Sequence, residues 1–136
     1  MSDAKLVVHT DVLLDHLRGV TRPSALRLAM RKYFCYTTVF QAVELFAAMR
    51  TQGERRAAED TMSAMKILGL NPKHAPMYGA LFAAHPRKRA TDLLVAGLCL
   101  ESGLPLLTSR GGDFRGIRGL TVMPPRVLAA GARRRN

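Results

Sequence analysis

Short apolar runs alternate along the chain with longer stretches in which apolar residues recur every three or four positions. Residues 5–9, KLVVH, form a β-type run, and Thr10-Asp11 then opens the amphipathic turns VLLDHL, which Gly19 ends. Residues 23–34 carry Pro at a helix N-terminus, with Leu26, Met30 and Tyr33 or Phe34 at helical spacing. FCYTT, residues 34–38, is aromatic and β-branched enough for a second strand. Thr38 followed by Gln41 fits a capping box that starts the next helix directly after that strand.

Further on, residues 54–65 predict a polar-faced helix and KILGL, residues 66–70, a short strand closed by Asn71-Pro72. A helix over about 75–84 stops before His85-Pro86. Another starts near Arg87 and runs through RATDLLVAGLCLESG to Gly103 as C-cap. LPLLT, 104–108, predicts a buried strand, 109–118 a Gly-rich loop, and LTVM, 120–123, a last strand. Strands this short, alternating with helices, predict an α/β fold with a parallel sheet of four to five strands covered on both faces. In such sheets the residues just after the strands converge on one edge, where ligands bind.

Length and composition narrow this picture further. The 136 residues suffice for one hydrophobic core without disulfides or structural metal, and the expected division is a domain over 1–125 with a basic, mobile tail over 126–136. Ala, Leu and Met supply the packing volume and Trp is absent, which favours helix-rich or α/β classes over all-β ones. Cys35 and Cys99 lie inside apolar stretches without metal-type spacing, so buried free thiols are expected. No leader pattern or bilayer-length apolar run is visible, and a soluble cytoplasmic protein is expected.

The charge balance changes the picture more. The net charge is +11, with clusters at Arg55-Arg56, Arg87-Lys88-Arg89 and Arg133-Arg134-Arg135. An excess of this size points to a polyanionic partner, with nucleic acid the natural one, and to salt-sensitive binding.

Against that background the few acids stand out. Glu44 is the only ionisable group in the thirteen residues TTVFQAVELFAAM, Asp92 opens the apolar run LLVAGLCL, Asp113 precedes Phe114 in the loop after the fourth strand, and Asp11 follows the first. Two carboxylates about 4 Å apart repel by roughly 4 kcal/mol at an effective dielectric of 20, so a positive group must sit between acids that converge. Either an Arg or a hard divalent cation can fill that role. Mg²⁺ or Mn²⁺ prefers carboxylate oxygen and activates water for attack on a phosphodiester.

Three segments carry a resemblance. VVHTDVLLDHL resembles the opening signature of PIN-domain ribonucleases of the VapC toxin type, hydrophobic-D-T-[ND]-V-L-[IL]-[DE]. TTVFQAVELF resembles their Glu-bearing strand and helix, and RATDLLVAGLCLESGLPLLTSRGGDF the segment that ends in hydrophobic-T-x-[ND]-x-x-D-F. Together they span most of residues 5–123. The resemblance implies a three-layer α/β/α PIN-like fold, Mg²⁺- or Mn²⁺-dependent RNA cleavage, a homodimer, and a small VapB-like antitoxin as partner. Carried over by position, Glu44, Asp92 and Asp113 match the acidic sites. The pattern departs at His9, which stands at the first Asp, and at Arg110, which stands at the later [ND] position.

Glu44, Asp92, Asp113 and Asp11 are therefore the expected catalytic and metal-binding residues, with His9 as a further Mn²⁺ ligand or proton shuttle. Arg110, Arg115 and Thr108 are expected to meet substrate, with the glycines of SRGGDFRGIRG allowing close backbone approach to phosphate. A second reading is a PIN-like module with an incomplete metal site that binds RNA or a protein without cleaving it.

Overall fold

The computed structural model describes residues 4–128, so the tail segment AAGARRRN lies outside the described residues. The chain begins with β1 (Lys5–Val8), α1 (Thr10–Arg18), α2 (Ala25–Lys32), β2 (Phe34–Thr38), α3 (Val39–Ala48), α4 (Gln52–Ser63) and β3 (Lys66–Leu68). It continues through α5 (Ala75–Ala84), α6 (Ala90–Ser102), β4 (Leu106–Leu107) and β5 (Val122–Met123). Single 3₁₀ turns at Pro72–His74 and Gly111–Phe114 complete the order.

All five strands are parallel, in the order β3-β2-β1-β4-β5. The chain winds outward from β1 to β3, then returns to the other side of β1 to lay down β4 and β5. The expected α/β/α sheet is therefore present, with its reversal of winding between β1 and β4. Alternation along the central strands separates two cores. Leu6, Val8 and Leu107 pack with Val12, Leu13, Leu26, Leu45 and Met62 on one face, whereas Val7 and Leu106 pack with Leu93, Val95, Ala96 and Phe114 on the other. Leu128 is buried in the first of these cores.

Several predicted ends move, each for a local reason. α2 begins at Ala25 because Ser24 caps it, its hydroxyl accepting the Arg27 N–H. α4 begins at Gln52 through a full capping box between Thr51 and Glu54, two residues before the predicted start. The predicted Thr38–Gln41 box is half formed: Thr38 accepts the Gln41 N–H at 3.2 Å, while its hydroxyl donates to Gln41 Oε1 at 2.6 Å. Gly19 and Gly103 end α1 and α6 as expected, both at positive φ that glycine adopts without Cβ strain. Cys35 and Cys99 are buried free thiols, pushed by burial up to about 11 and about 12. Among the described residues no helix is long and apolar enough to cross a membrane.

Candidate active site

The residues that follow β1 and β4 meet where the winding reverses, the position at which open α/β sheets form their ligand crevice. His9 is the N-cap of α1, with Thr10 and Asp11 in its first turn. Glu44 lies in the second turn of α3, which starts directly after β2. Asp92 is in the first turn of α6, whose N-terminus lies at this edge because the helix runs back before β4. Asp113 sits in the 3₁₀ turn that follows β4. Thus all four acids and His9 reach the carboxyl edge of the sheet.

Their environments differ sharply. Asp92 is 5% exposed, and no group among the described residues donates a hydrogen bond to its carboxylate. Its closest ion-pair contact is His9 Nε2, 3.9 Å from Oδ1. Burial raises its pKa, and the charges of Asp113 and Glu44 act in the same direction, against Arg89 and His9. Glu44 and Asp113 therefore face Asp92 closely enough to be felt. Their side chains are 29% and 39% exposed, and Glu44 is thus more open than its apolar sequence context suggests.

Each of these two acids already has a guanidinium. Arg89 Nη2 lies 3.4 Å from Glu44 Oε2, while Glu44 Oε1 accepts the Thr10 hydroxyl at 2.6 Å. Arg110 Nε lies 2.8 Å from Asp113 Oδ2. Lys88 Nζ donates to the Asp113 carbonyl at 3.1 Å. Sequence reasoning missed Thr10, Lys88 and Arg89 as site residues. The signal for the first was its place between His9 and Asp11, and the other two were read only as part of a basic cluster.

Asp11, expected among the metal ligands, is committed elsewhere. Its Oδ2 accepts from the Thr108 hydroxyl at 3.0 Å, the Ser109 N–H at 2.9 Å and the Ser109 hydroxyl at 2.6 Å. Its Oδ1 accepts the Val12 N–H at 2.8 Å and lies 3.1 Å from His9 Nδ1. Burial would raise this carboxyl, but the hydrogen bonds from His9 and Ser109 overcome it and hold the group well below the usual carboxylate range. Asp11 is thus a strut that ties α1 to the end of β4. Thr108, expected to meet substrate, is 1% exposed and uses its hydroxyl in that strut. Arg115 is exposed, and no bond from its side chain is found among the described residues.

His9 Nδ1 lies 3.3 Å from the Asp11 N–H and 3.1 Å from Asp11 Oδ1. One nitrogen accepts from the former only when it carries no proton, and donates to the latter only when it does. With its proton on Nδ1 the ring donates to the Asp11 carboxylate, and with its proton on Nε2 it caps α1 and turns that proton toward Asp92. Phe114 packs edge-on against the ring at 5.5 Å between centroids.

Among the described residues no three His, Cys, Asp or Glu side chains converge closely enough to hold a metal ion. The donors are nevertheless of the hard-oxygen kind that Mg²⁺ or Mn²⁺ takes. Asp92 lacks a hydrogen-bonded counter-charge, Glu44 is held loosely by an exposed Arg, and both sit with Asp113 on one edge. Those three bring the donor type that a divalent ion takes, whereas the oxygens of Asp11 are engaged by Val12, Thr108 and Ser109.

The same architecture recurs in solved structures. The chain is similar to VapBC2 from Rickettsia felis bound to a DNA fragment from its promoter, at 16% identity and TM-score 0.74, covering 88% of this chain and 97% of that one. A toxin-antitoxin complex from Klebsiella pneumoniae gives 19% identity, TM-score 0.74 and coverage of 89% and 98%. VapBC-5 from Mycobacterium tuberculosis gives 21%, 0.62, and again 89% and 98%. No curated protein matches the chain. The family model for the PIN domain matches residues 6–120, the span that holds β2, β3, β4, nearly all of β1 and every acid of the edge, and the chain accordingly belongs to the PIN-domain family.

Proposed function

We propose that this chain is a metal-dependent endoribonuclease and the toxin of a toxin-antitoxin pair, hydrolysing RNA phosphodiester bonds at the carboxyl edge of its sheet. The observation that carries the reading is Asp92, a buried carboxylate with no hydrogen-bond donor, pressed by two further acids. Burial and the two neighbouring acids outweigh Arg89 and His9 in disfavouring its charge, so the group is best explained by a cation that it serves.

Asp92, Glu44 and Asp113 would hold Mg²⁺ or Mn²⁺, which supplies activation of water and neutralisation of charge on phosphate oxygens. The chain's own groups do the rest. Asp11 holds the first turn of α1 against β4, so that Thr10 can fix Glu44 by its 2.6 Å hydrogen bond. His9 Nε2, facing Asp92, is placed to move a proton at this edge. Arg89, Arg110 and Arg115 are exposed cations beside the acids and bind the RNA backbone without reading sequence. The likeness to complexes named VapBC supports a small VapB-like antitoxin as partner, with a homodimer as the working assembly.

A second reading, RNA binding without cleavage, is favoured by one observation: Arg89 and Arg110 already neutralise Glu44 and Asp113. Incubation of total RNA with the protein and Mn²⁺, beside a Glu44→Gln/Asp92→Asn variant, separates the two. Cleavage in the parent and a loss of about 100-fold or more in the variant is expected. Equal cleavage in both overturns the first reading, and RNA retention without cleavage in either selects the second.

A further inference from the structure

The corner between α1 and α2 holds a cavity of about 460 Å³, lined by His16, Arg18, Thr21, Arg22, Ser24 and Arg27 among others. No Asp or Glu lines it. Since α1 leaves the acidic edge and runs nine residues, about 13 Å at 1.5 Å per residue, the cavity lies at the opposite end of that helix. It is a separate feature of the fold, and its size is in the range of small-molecule sites.

The local charges do not cancel. Arg18 complements the last carbonyls of α1 and also faces Glu54 of α4. Arg22 and Arg27 have no such partner: among the described residues neither makes an ion pair. Arg22 lies over the positive-φ Gly19, its Nη2 3.4 Å from where a Cβ would stand. Arg27 is close enough to His16 to add to the effect of burial in lowering that imidazole's pKa.

Ser24 organises the corner. It is 5% exposed, and its Oγ accepts the Arg27 N–H at 3.1 Å and lies 2.7 Å from His16 Nδ1. The serine oxygen has a second lone pair, so its hydroxyl donates to an unprotonated Nδ1 or accepts from a protonated one. In the first arrangement the neutral imidazole carries its proton on Nε2, for which no acceptor is found among the described residues. Two guanidiniums without an ion pair and the His16 ring therefore line a cavity without an acid.

We propose that this corner is a phosphate-binding site, in which Arg22 and Arg27 take the phosphate oxygens through paired N–H donors and His16 Nε2 adds a third contact. Guanidinium forks match phosphate geometry in a way that a diffuse positive surface does not. The phosphate can belong to a compact free anion or to the backbone of RNA, and the two are distinguishable. The site does not depend on the nuclease reading, because its chemistry needs neither the acids nor a metal.

The test uses the full chain in EDTA, which prevents cleavage, with inorganic pyrophosphate and a short single-stranded RNA as probes in calorimetry. Arg22→Gln/Arg27→Gln is compared with Arg55→Gln/Arg56→Gln, which removes the same charge from the exposed face of α4. The corner variant is expected to lose about tenfold or more of the pyrophosphate affinity, with the control within about twofold of the parent. If RNA is the natural source, the corner variant also binds RNA more weakly, with a salt slope smaller by about 1.4, the loss of two single-strand phosphate contacts. If a free anion is the source, RNA binding in the two variants is equal while pyrophosphate binding still differs. In the parent, the His16 ring resonances shift on pyrophosphate addition. Equal losses in both variants for both probes, or pyrophosphate binding that leaves His16 unmoved, overturns the proposal.

Discussion

Asp11 and Asp92 occupy one sheet edge in opposite electrostatic states, and the difference is measurable. Asp11 has a depressed folded pKa, so its contribution to stability is complete above the unfolded value of about 3.9 and disappears as the pH falls toward the folded one. Asp11→Asn should cost about 2–3 kcal/mol in urea unfolding at pH 7, with a gap to the parent that narrows below about pH 4. A gap that stays constant with pH would contradict the strut. Asp92 has a raised folded pKa, so the fold loses stability as the pH rises from the unfolded value of about 3.9, and the loss is complete above the folded one. In EDTA at pH 7, Asp92→Asn should stabilise the protein by about 1 kcal/mol, and with Mn²⁺ in place of EDTA it should remove cleavage, the pattern of a residue kept for function. A lower melting temperature in that variant would show that the carboxylate supports the fold. The apolar run behind Asp92 made its burial legible in sequence. The role of Asp11 was not legible, because its donors lie 97 and 98 residues further along the chain.

At the scale of elements, α5 and α6 approach closely because Gly97 presents no side chain. A Cβ there would fall on the ring of Tyr78, whose hydroxyl donates to Glu101 at 2.5 Å. Gly97→Ala should therefore destabilise by about 2 kcal/mol in spite of the gain of up to ~1 kcal/mol in helix propensity, with Tyr78→Leu in the same background recovering part of the loss. Chemical denaturation of the three variants checks this, and a neutral Gly97→Ala would mean that the helices separate freely. Periodicity and cap signals located α1 to α6 and β1 to β5, but not their ends, and not the helical residues 126–128, which were expected in the tail. The strand expected over 104–108 pairs only at Leu106–Leu107, since Pro105 has no N–H to give. The helix expected from Arg87 begins at Ala90, because Lys88 and Arg89 reach Asp113 and Glu44 from the preceding turn. Spacing alone cannot reveal contacts across 25 and 45 residues.

For the whole molecule, the excess of 21 Lys and Arg over 10 Asp and Glu, with four acids gathered on one edge, sets a field that draws nucleic acid broadly. With about four backbone contacts, affinity for single-stranded RNA should fall roughly 50-fold between ~50 and ~200 mM salt. Fluorescence anisotropy in EDTA gives the slope, and a flat response would remove phosphate contact from the account. The sheet has a further consequence for association. Its two outermost strands are three and two residues long, so very little unpaired ladder is offered to another chain. Joining by added strands is thereby discouraged, and any companion, whether a twin or a foreign polypeptide, must grip the outer helices and loops instead.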